Sequence, residues 1–81
     1  MVNVAAPIIT PAQLRAARAW LGWTQMELSA RAGVSKRPIV RYELGRSVPH
    51  PETLAALQRA LESAGIRFHF VGMMGKGISV L

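Results

Sequence analysis

The sequence contains no cysteine and only four acidic residues among its 81 positions. The absence of cysteine excludes disulfide bonds, cysteine-ligated zinc and thiol catalysis, and it fits a reducing compartment. Charged residues make up only 17% of the chain, whereas hydrophobic residues make up 51%. This composition is typical of a chain that packs a core rather than of a disordered one. At this length the chain can enclose one small core.

The sequence also lacks a long hydrophobic run. Its apolar first ten residues contain Pro7 and no basic residue, and they are too few to span a bilayer. We interpret residues 1–10 as an N-terminal tail or a loosely docked arm. We therefore expect a cytoplasmic protein that does not associate with a membrane.

Residues for metal binding or catalysis are scarce. The two histidines, His50 and His69, lie in different predicted elements with few carboxylates nearby, so we expect no metal site. No nucleophile, base and orienting carboxylate occur at a spacing that supports a reaction. We interpret Glu43 as the structural partner of a nearby arginine or backbone N–H rather than as an acid catalyst. We expect neither a cofactor nor an enzymatic activity.

Basic residues, by contrast, are abundant. Ten lysines and arginines give a formal net charge of +6, which favours a polyanionic partner such as nucleic acid or an anionic membrane surface. Residues 31–46 contain five basic side chains and one acidic side chain, so most of the excess charge is local. The basic residues of this stretch are Arg31, Lys36, Arg37, Arg41 and Arg46.

Hydrophobic periodicity and capping residues predict four helices. Thr10 and Pro11 make a favourable helix start, and Thr24 with Glu27 has the spacing of a capping box. Gly33 can adopt the left-handed conformation that ends a helix and turns the chain. The predicted helices span about 11–21, 25–31, 36–44 and 52–64. We expect Trp20 to pack at the edge of the buried stripe of the first helix.

The last sixteen residues change to a period of two. Ile66, Phe68 and Phe70 alternate with more polar positions, as in a half-buried strand. Three glycines, at positions 72, 75 and 77, mark a turn, after which a second strand can return. An isolated two-stranded hairpin is marginal in water, so the apolar face of residues 66–81 needs the helices or a second copy to cover it.

Residues 24–46 have the pattern of a helix-turn-helix. Two short helices are joined through "RAGVS", and inward-facing Ile39 and Tyr42 leave the basic residues of the third helix outward. A projecting helix with outward lysine and arginine suits the major groove, where these side chains can donate to guanine.

The stretch "TQMELSARAGVSKRPIVRYELGRSVP" resembles the Cro/repressor-type, or XRE-like, helix-turn-helix family. The resemblance extends over about residues 11–65. It implies a mainly α fold, a four-helix lambda-repressor-like DNA-binding domain, followed here by a short C-terminal β-strand or hairpin at 66–81. It also implies a bacterial or phage transcriptional regulator that binds double-stranded DNA in its major groove and acts as a repressor.

The same resemblance implies a set of DNA-contacting positions. Gln25 would contact a phosphate and brace the recognition helix, and Ser35 would reach a phosphate while capping its helix. Pro38 departs from the family pattern, and it offers only an apolar surface, for example to a thymine methyl group. The other positions implied to contact bases or the backbone are Lys36, Arg37, Val40, Arg41 and Arg46.

Two functions remain open, and the first is the DNA-binding regulator. Members of the family commonly act as two-fold dimers, and we expect pairing of two chains through residues 66–71 or 76–81. The other reading is a protein-interaction adaptor, or an antitoxin-like partner, that binds a protein through its hydrophobic C-terminal segment.

Overall fold

The structure, a computed structural model, describes residues 7–81. Residues 1–6, which belong to the predicted tail, lie outside the described part. Four helices are followed by one antiparallel hairpin, which confirms the predicted fold class, and each helix end lies within one residue of its expected position. The elements are α1 Pro11–Leu21, α2 Gln25–Ala32, α3 Lys36–Glu43, α4 Pro51–Ser63, β1 Ile66–Val71 and β2 Met74–Val80.

Both threonine caps form. The Thr24 hydroxyl accepts from the Glu27 backbone N–H at 3.0 Å while the Glu27 carboxylate accepts from the Thr24 N–H at 3.2 Å, as the sequence predicts. Thr10 makes the same reciprocal pair with Gln13, at 3.1 and 2.9 Å. Each box satisfies backbone donors that a helix start would otherwise leave unpaired.

One hydrophobic cluster joins all four helices to the start of β1. The phenol of Tyr42 reaches across it and donates to the backbone oxygen of Ile9, so the residues just before α1 are packed on α3. Trp20 is not part of the cluster: it is 65% exposed, and the expectation that it packs at the edge of the stripe is wrong. The buried members are Ile9, Leu14, Ala17, Leu28, Ile39, Tyr42, Leu54, Leu57, Leu61 and Ile66.

The hairpin forms within one chain. Gly72 and Met73 alone make its loop, and Gly72 has a φ of 62°, which favours glycine. Gly75 and Gly77 lie inside β2, so their assignment to the turn is wrong. An irregularity in register next to His69 places Lys76 as an extra residue between two pairs of the ladder, as in a β-bulge.

Gln13 fastens this irregular part of the hairpin to α1. Its side-chain amide donates to the backbone oxygens of His69 and Gly77, at 2.8 and 2.9 Å. Gly75 allows the close approach, because a Cβ at that position would overlap the Gln13 amide oxygen and lie 2.9 Å from Cγ2 of Thr10. The hairpin is therefore docked on the N-terminal half of α1.

Candidate nucleic-acid interface

The two faces of α3 differ sharply. Ile39, Tyr42 and Glu43 are buried against the rest of the domain. Lys36, Arg37 and Arg41 are exposed on the opposite side, as the sequence predicts, and Val40 and Pro38 are half-buried beside them. The third helix thus presents cations to solvent from a fixed position.

The turn between α2 and α3 fixes where this cationic face begins. Gly33 has a φ of 69°, and its N–H donates to the Ser29 backbone oxygen at 3.0 Å. Buried Ser29 also donates its hydroxyl to the backbone oxygen of Val34, which ties the far side of the turn to α2. The glycine turns the chain without steric cost, as expected.

Glu43 connects three helices. Arg18 of α1 donates to both carboxylate oxygens, at 2.8 and 2.9 Å, and Gln25 of α2 donates to one of them at 2.9 Å. Arg15 adds a bond to the Glu43 backbone oxygen. The hydrogen bond to Glu43 raises the pKa of the Arg18 guanidinium, whereas its partial burial acts in the opposite direction. The prediction that Glu43 pairs with an arginine is confirmed.

Sequence reasoning missed the arginine side of this network. Arg15 and Arg18 fall outside the hydrophobic stripe of α1, which gave no sign that they would reach the end of α3. The network matters for the interface because it fixes the buried side of α3. The cationic side of the helix is therefore fixed relative to α1 and α2.

Gln25 lies at the first position of α2, directly after the Thr24 cap. Its bond to Glu43 ties the start of α2 to the end of α3. The amide is half-buried. Its contact with a DNA phosphate stays a prediction.

Ser35 occupies the N-cap position of α3 but its side chain makes no capping bond. The third helical residue is Pro38, which has no N–H to donate to such a cap. The exposed hydroxyl of Ser35 is thus not used inside the domain.

The remaining predicted site residues lie at the end of α3 and just after it. The Arg41 side chain donates to the Ser47 hydroxyl at 3.1 Å, and the Arg46 N–H donates to the Arg41 backbone oxygen at 2.9 Å. Among residues 7–81 the single ion pair is the one between Arg18 and Glu43. The cations on and after α3 therefore have no carboxylate partner within the described chain.

Other kinds of site find no support in the same part of the chain. No three histidine, aspartate or glutamate side chains gather into a metal-binding group among the described residues. The ring nitrogen Nε2 of His69 lies 2.8 Å from the Ser79 hydroxyl, and His50 lies before α4. None of the helices in residues 7–81 has the length and hydropathy needed to cross a membrane.

The profile of the helix-turn-helix domain family matches residues 12–66, which is more than half of the chain. The chain belongs to the helix-turn-helix domain family. Among curated proteins, none matches it significantly. The helix-turn-helix domain indicates DNA binding, and domains of this family are typically not enzymes. The match agrees with the resemblance to Cro/repressor-type proteins, and membership of that subfamily stays a prediction.

Proposed function

We propose that this helix-turn-helix protein binds double-stranded DNA in a sequence-specific manner and acts as a transcriptional repressor. The observation that carries the proposal is the outward face of α3. Lys36, Arg37 and Arg41 are exposed there without a carboxylate partner in residues 7–81, on a helix whose other face is held by Glu43. Cations left unpaired on a rigid projecting helix favour a polyanionic groove as their partner.

Base recognition falls to the N-terminal half of α3. Arg37 is suited to guanine because its planar guanidinium can donate to O6 and N7 together, and Lys36 can donate to the same acceptors. Val40 and Pro38 supply apolar surface beside them, which suits a thymine methyl group.

Backbone contacts surround this centre. Gln25 lies before the recognition helix, and Ser35 lies at its start. Arg41 lies near the end of the helix, and Arg46 follows it. Hydrogen bonds to phosphates from such positions orient a domain on the duplex without reading its sequence. A single module of this size binds weakly, and we propose that two copies bind paired half-sites as a homodimer.

The test is a fluorescence anisotropy titration with labelled duplex DNA at several salt concentrations. Of the proposed phosphate contacts, Arg41 and Arg46 are cationic, and two such contacts predict a slope of log affinity against log salt of about −2 for one protomer. Selection from a random duplex pool then gives the preferred bases and the half-site spacing. Absence of binding to any duplex, even at low salt, would overturn the proposal.

A second function is favoured by the apolar hairpin tip. Val71, Met73 and Met74 are all more than half exposed there, which suits contact with a protein. An adaptor that binds a protein through this segment would show no salt-dependent affinity for DNA, so the same titration separates the two functions.

A further inference from the structure

The exposed tryptophan on α1 lies in a row of small residues. Trp20, the largest type of side chain, is 65% exposed at the end of a helix whose Ala12 and Ala16 are also exposed. These three residues are spaced by four, so they follow one ridge of the helix surface. No charged side chain belongs to this ridge.

The hairpin turns the beginning of this ridge into a hollow. Ala12 and Ala16 line a concavity of about 360 Å³ together with Gly75 and Gly77 of β2. Lys76 is the one charged residue in its lining. The Gln13 bonds hold β2 against α1, so the shape of this hollow is fixed by the fold.

The ridge and the hollow are complementary to each other under a two-fold rotation. If two α1 helices cross antiparallel at Ala16, Trp20 of each chain falls opposite Ala12 of the other, because both residues lie four positions from the axis. The indole then enters the hollow formed by alanine and glycine, and the same contact is made twice. Such a self-matching contact is the isologous type found in closed dimers.

We propose that Trp20 and the hollow lined by Ala12, Ala16, Gly75 and Gly77 form the self-association surface of this protein. The occupant is a second copy because the chain itself carries both the exposed indole and the hollow, with Trp20 and Ala12 four residues to either side of Ala16. This surface is the contact between the two chains of the proposed homodimer. The inference rests on the proposed function, which supplies the number of chains. We propose this surface in place of the expected pairing of two chains through residues 66–71 or 76–81.

The surface leaves the recognition helix free. None of the eight proposed DNA-contacting residues belongs to it. Arg18, which bonds to Glu43, lies on the other side of α1 from Ala16. Two residues along a helix rotate the side-chain direction by about 200° around the helix axis. Each tryptophan buries about 150–250 Å² when covered, so the contact belongs with weak interfaces of less than about 1,200 Å².

Sedimentation equilibrium of the full chain tests the surface. We expect the unchanged protein to dimerise, and Trp20→Ala and Ala16→Glu each to weaken the dimer by about tenfold or more. The matched control is Leu44→Ala, which trims a side chain that is 62% exposed and belongs to neither α1 nor the hairpin, and it should dimerise like the unchanged protein. Thermal unfolding of each variant shows whether the monomer is intact, and Ala16→Glu carries the test if Trp20→Ala fails to fold.

The lack of cysteine offers a direct test of the axis. Ala16→Cys introduces the only thiol, and two such residues facing each other across the axis lie within the reach of a disulfide. Oxidation should give a covalent dimer for Ala16→Cys and not for Leu44→Cys.

Three results would overturn the surface. They are a dimer unaffected by Trp20→Ala and Ala16→Glu, no covalent dimer from Ala16→Cys, or a protein that stays monomeric at all concentrations and uses Trp20 to bind a different protein. The anisotropy titration is independent of these results. DNA binding by a dimer with another interface, or by a monomer, would leave DNA binding standing and remove only the proposed surface.

Discussion

The outward face of α3 and the surface formed by α1 and the hairpin differ in charge but are held in a similar way. The first carries exposed Lys36, Arg37 and Arg41, whereas the hollow beside the hairpin has Lys76 as its one charged lining residue. Each depends on one buried polar side chain that reaches another element: Glu43 for α3 and Gln13 for the hairpin. Helix α1 takes part in both attachments.

The two attachments differ in charge, because the side chain that holds α3 is ionic and the side chain that holds the hairpin is neutral. Glu43 is an acidic group with an arginine partner, so loss of either partner leaves a charge with poor solvation. Gln13 is neutral and bonds to backbone oxygens, so its loss leaves no buried charge. We therefore expect the attachment of α3 to be the more costly one to break.

Removal of the Glu43 carboxylate should have the largest effect on stability. Glu43→Ala leaves Arg18 and Gln25 without their acceptor, and we expect a loss of about 3 kcal/mol, at the lower end for buried pairs because Arg18 is partly exposed. Urea unfolding measures it. Glu52→Ala, at an exposed position, is the matched control and should cost less than about 1 kcal/mol. An equal effect of the two changes would mean that Glu43 does not hold α3.

A methyl group at Gly75 should weaken the attachment of the hairpin, and we expect a smaller loss of stability than for removal of the Glu43 carboxylate. Gly75→Ala would place Cβ against the Gln13 amide and Thr10, so we expect about 2 kcal/mol of destabilisation, as for other overpacked sites. The double change with Gln13→Ala should cost less than the sum of the two single changes, because part of the obstruction is gone. Simple additivity in urea unfolding would contradict this docking geometry.

The two helices of the helix-turn-helix should respond differently to loss of their caps. Thr24→Ala removes a formed capping bond and should cost about 1 kcal/mol. Ser35→Ala removes a hydroxyl that makes no capping bond, so its effect should stay within about 0.5 kcal/mol. Thermal unfolding of the pair tests this, and a larger loss for Ser35→Ala would show that α3 depends on a serine cap.

Alkaline pH should give the mildest perturbation. Burial raises the pKa of Tyr42 above its ordinary value of 10.0, since the anion would be poorly solvated in the core. The unfolded chain then loses this proton first, so the free energy of unfolding should be level below about pH 10 and fall as the pH rises through the folded pKa. Tyr42 is the only tyrosine, so ultraviolet titration measures it directly. Tyr42→Phe should remove this part of the pH dependence.

Much of the helical fold could be predicted because its determinants are local. Thr24, Glu27 and Gly33 specify a start and an end within a few residues, and the structure uses all three as expected. The failure of the Ser35 cap also follows from Pro38 three residues later. The outward placement of the α3 cations follows from the helical period alone.

The errors have a common cause in contacts between distant residues. Gln13 looks like an exposed polar residue, and its burial depends on backbone oxygens 56 and 64 positions away. Trp20 remains exposed since the hairpin covers only the N-terminal half of α1. The glycine at position 75 predicts a turn, whereas its actual role depends on the close approach of a strand to α1, a contact between distant residues.

The central claim is that DNA binds the outward face of α3 rather than the chain's positive charge in general. Arg37→Glu and Arg67→Glu change the net charge equally, and both arginines are exposed, one on α3 and one on β1. Anisotropy titrations against the selected duplex should show a loss of about 100-fold for Arg37→Glu and less than about threefold for Arg67→Glu. Equal losses for the two variants would contradict the account.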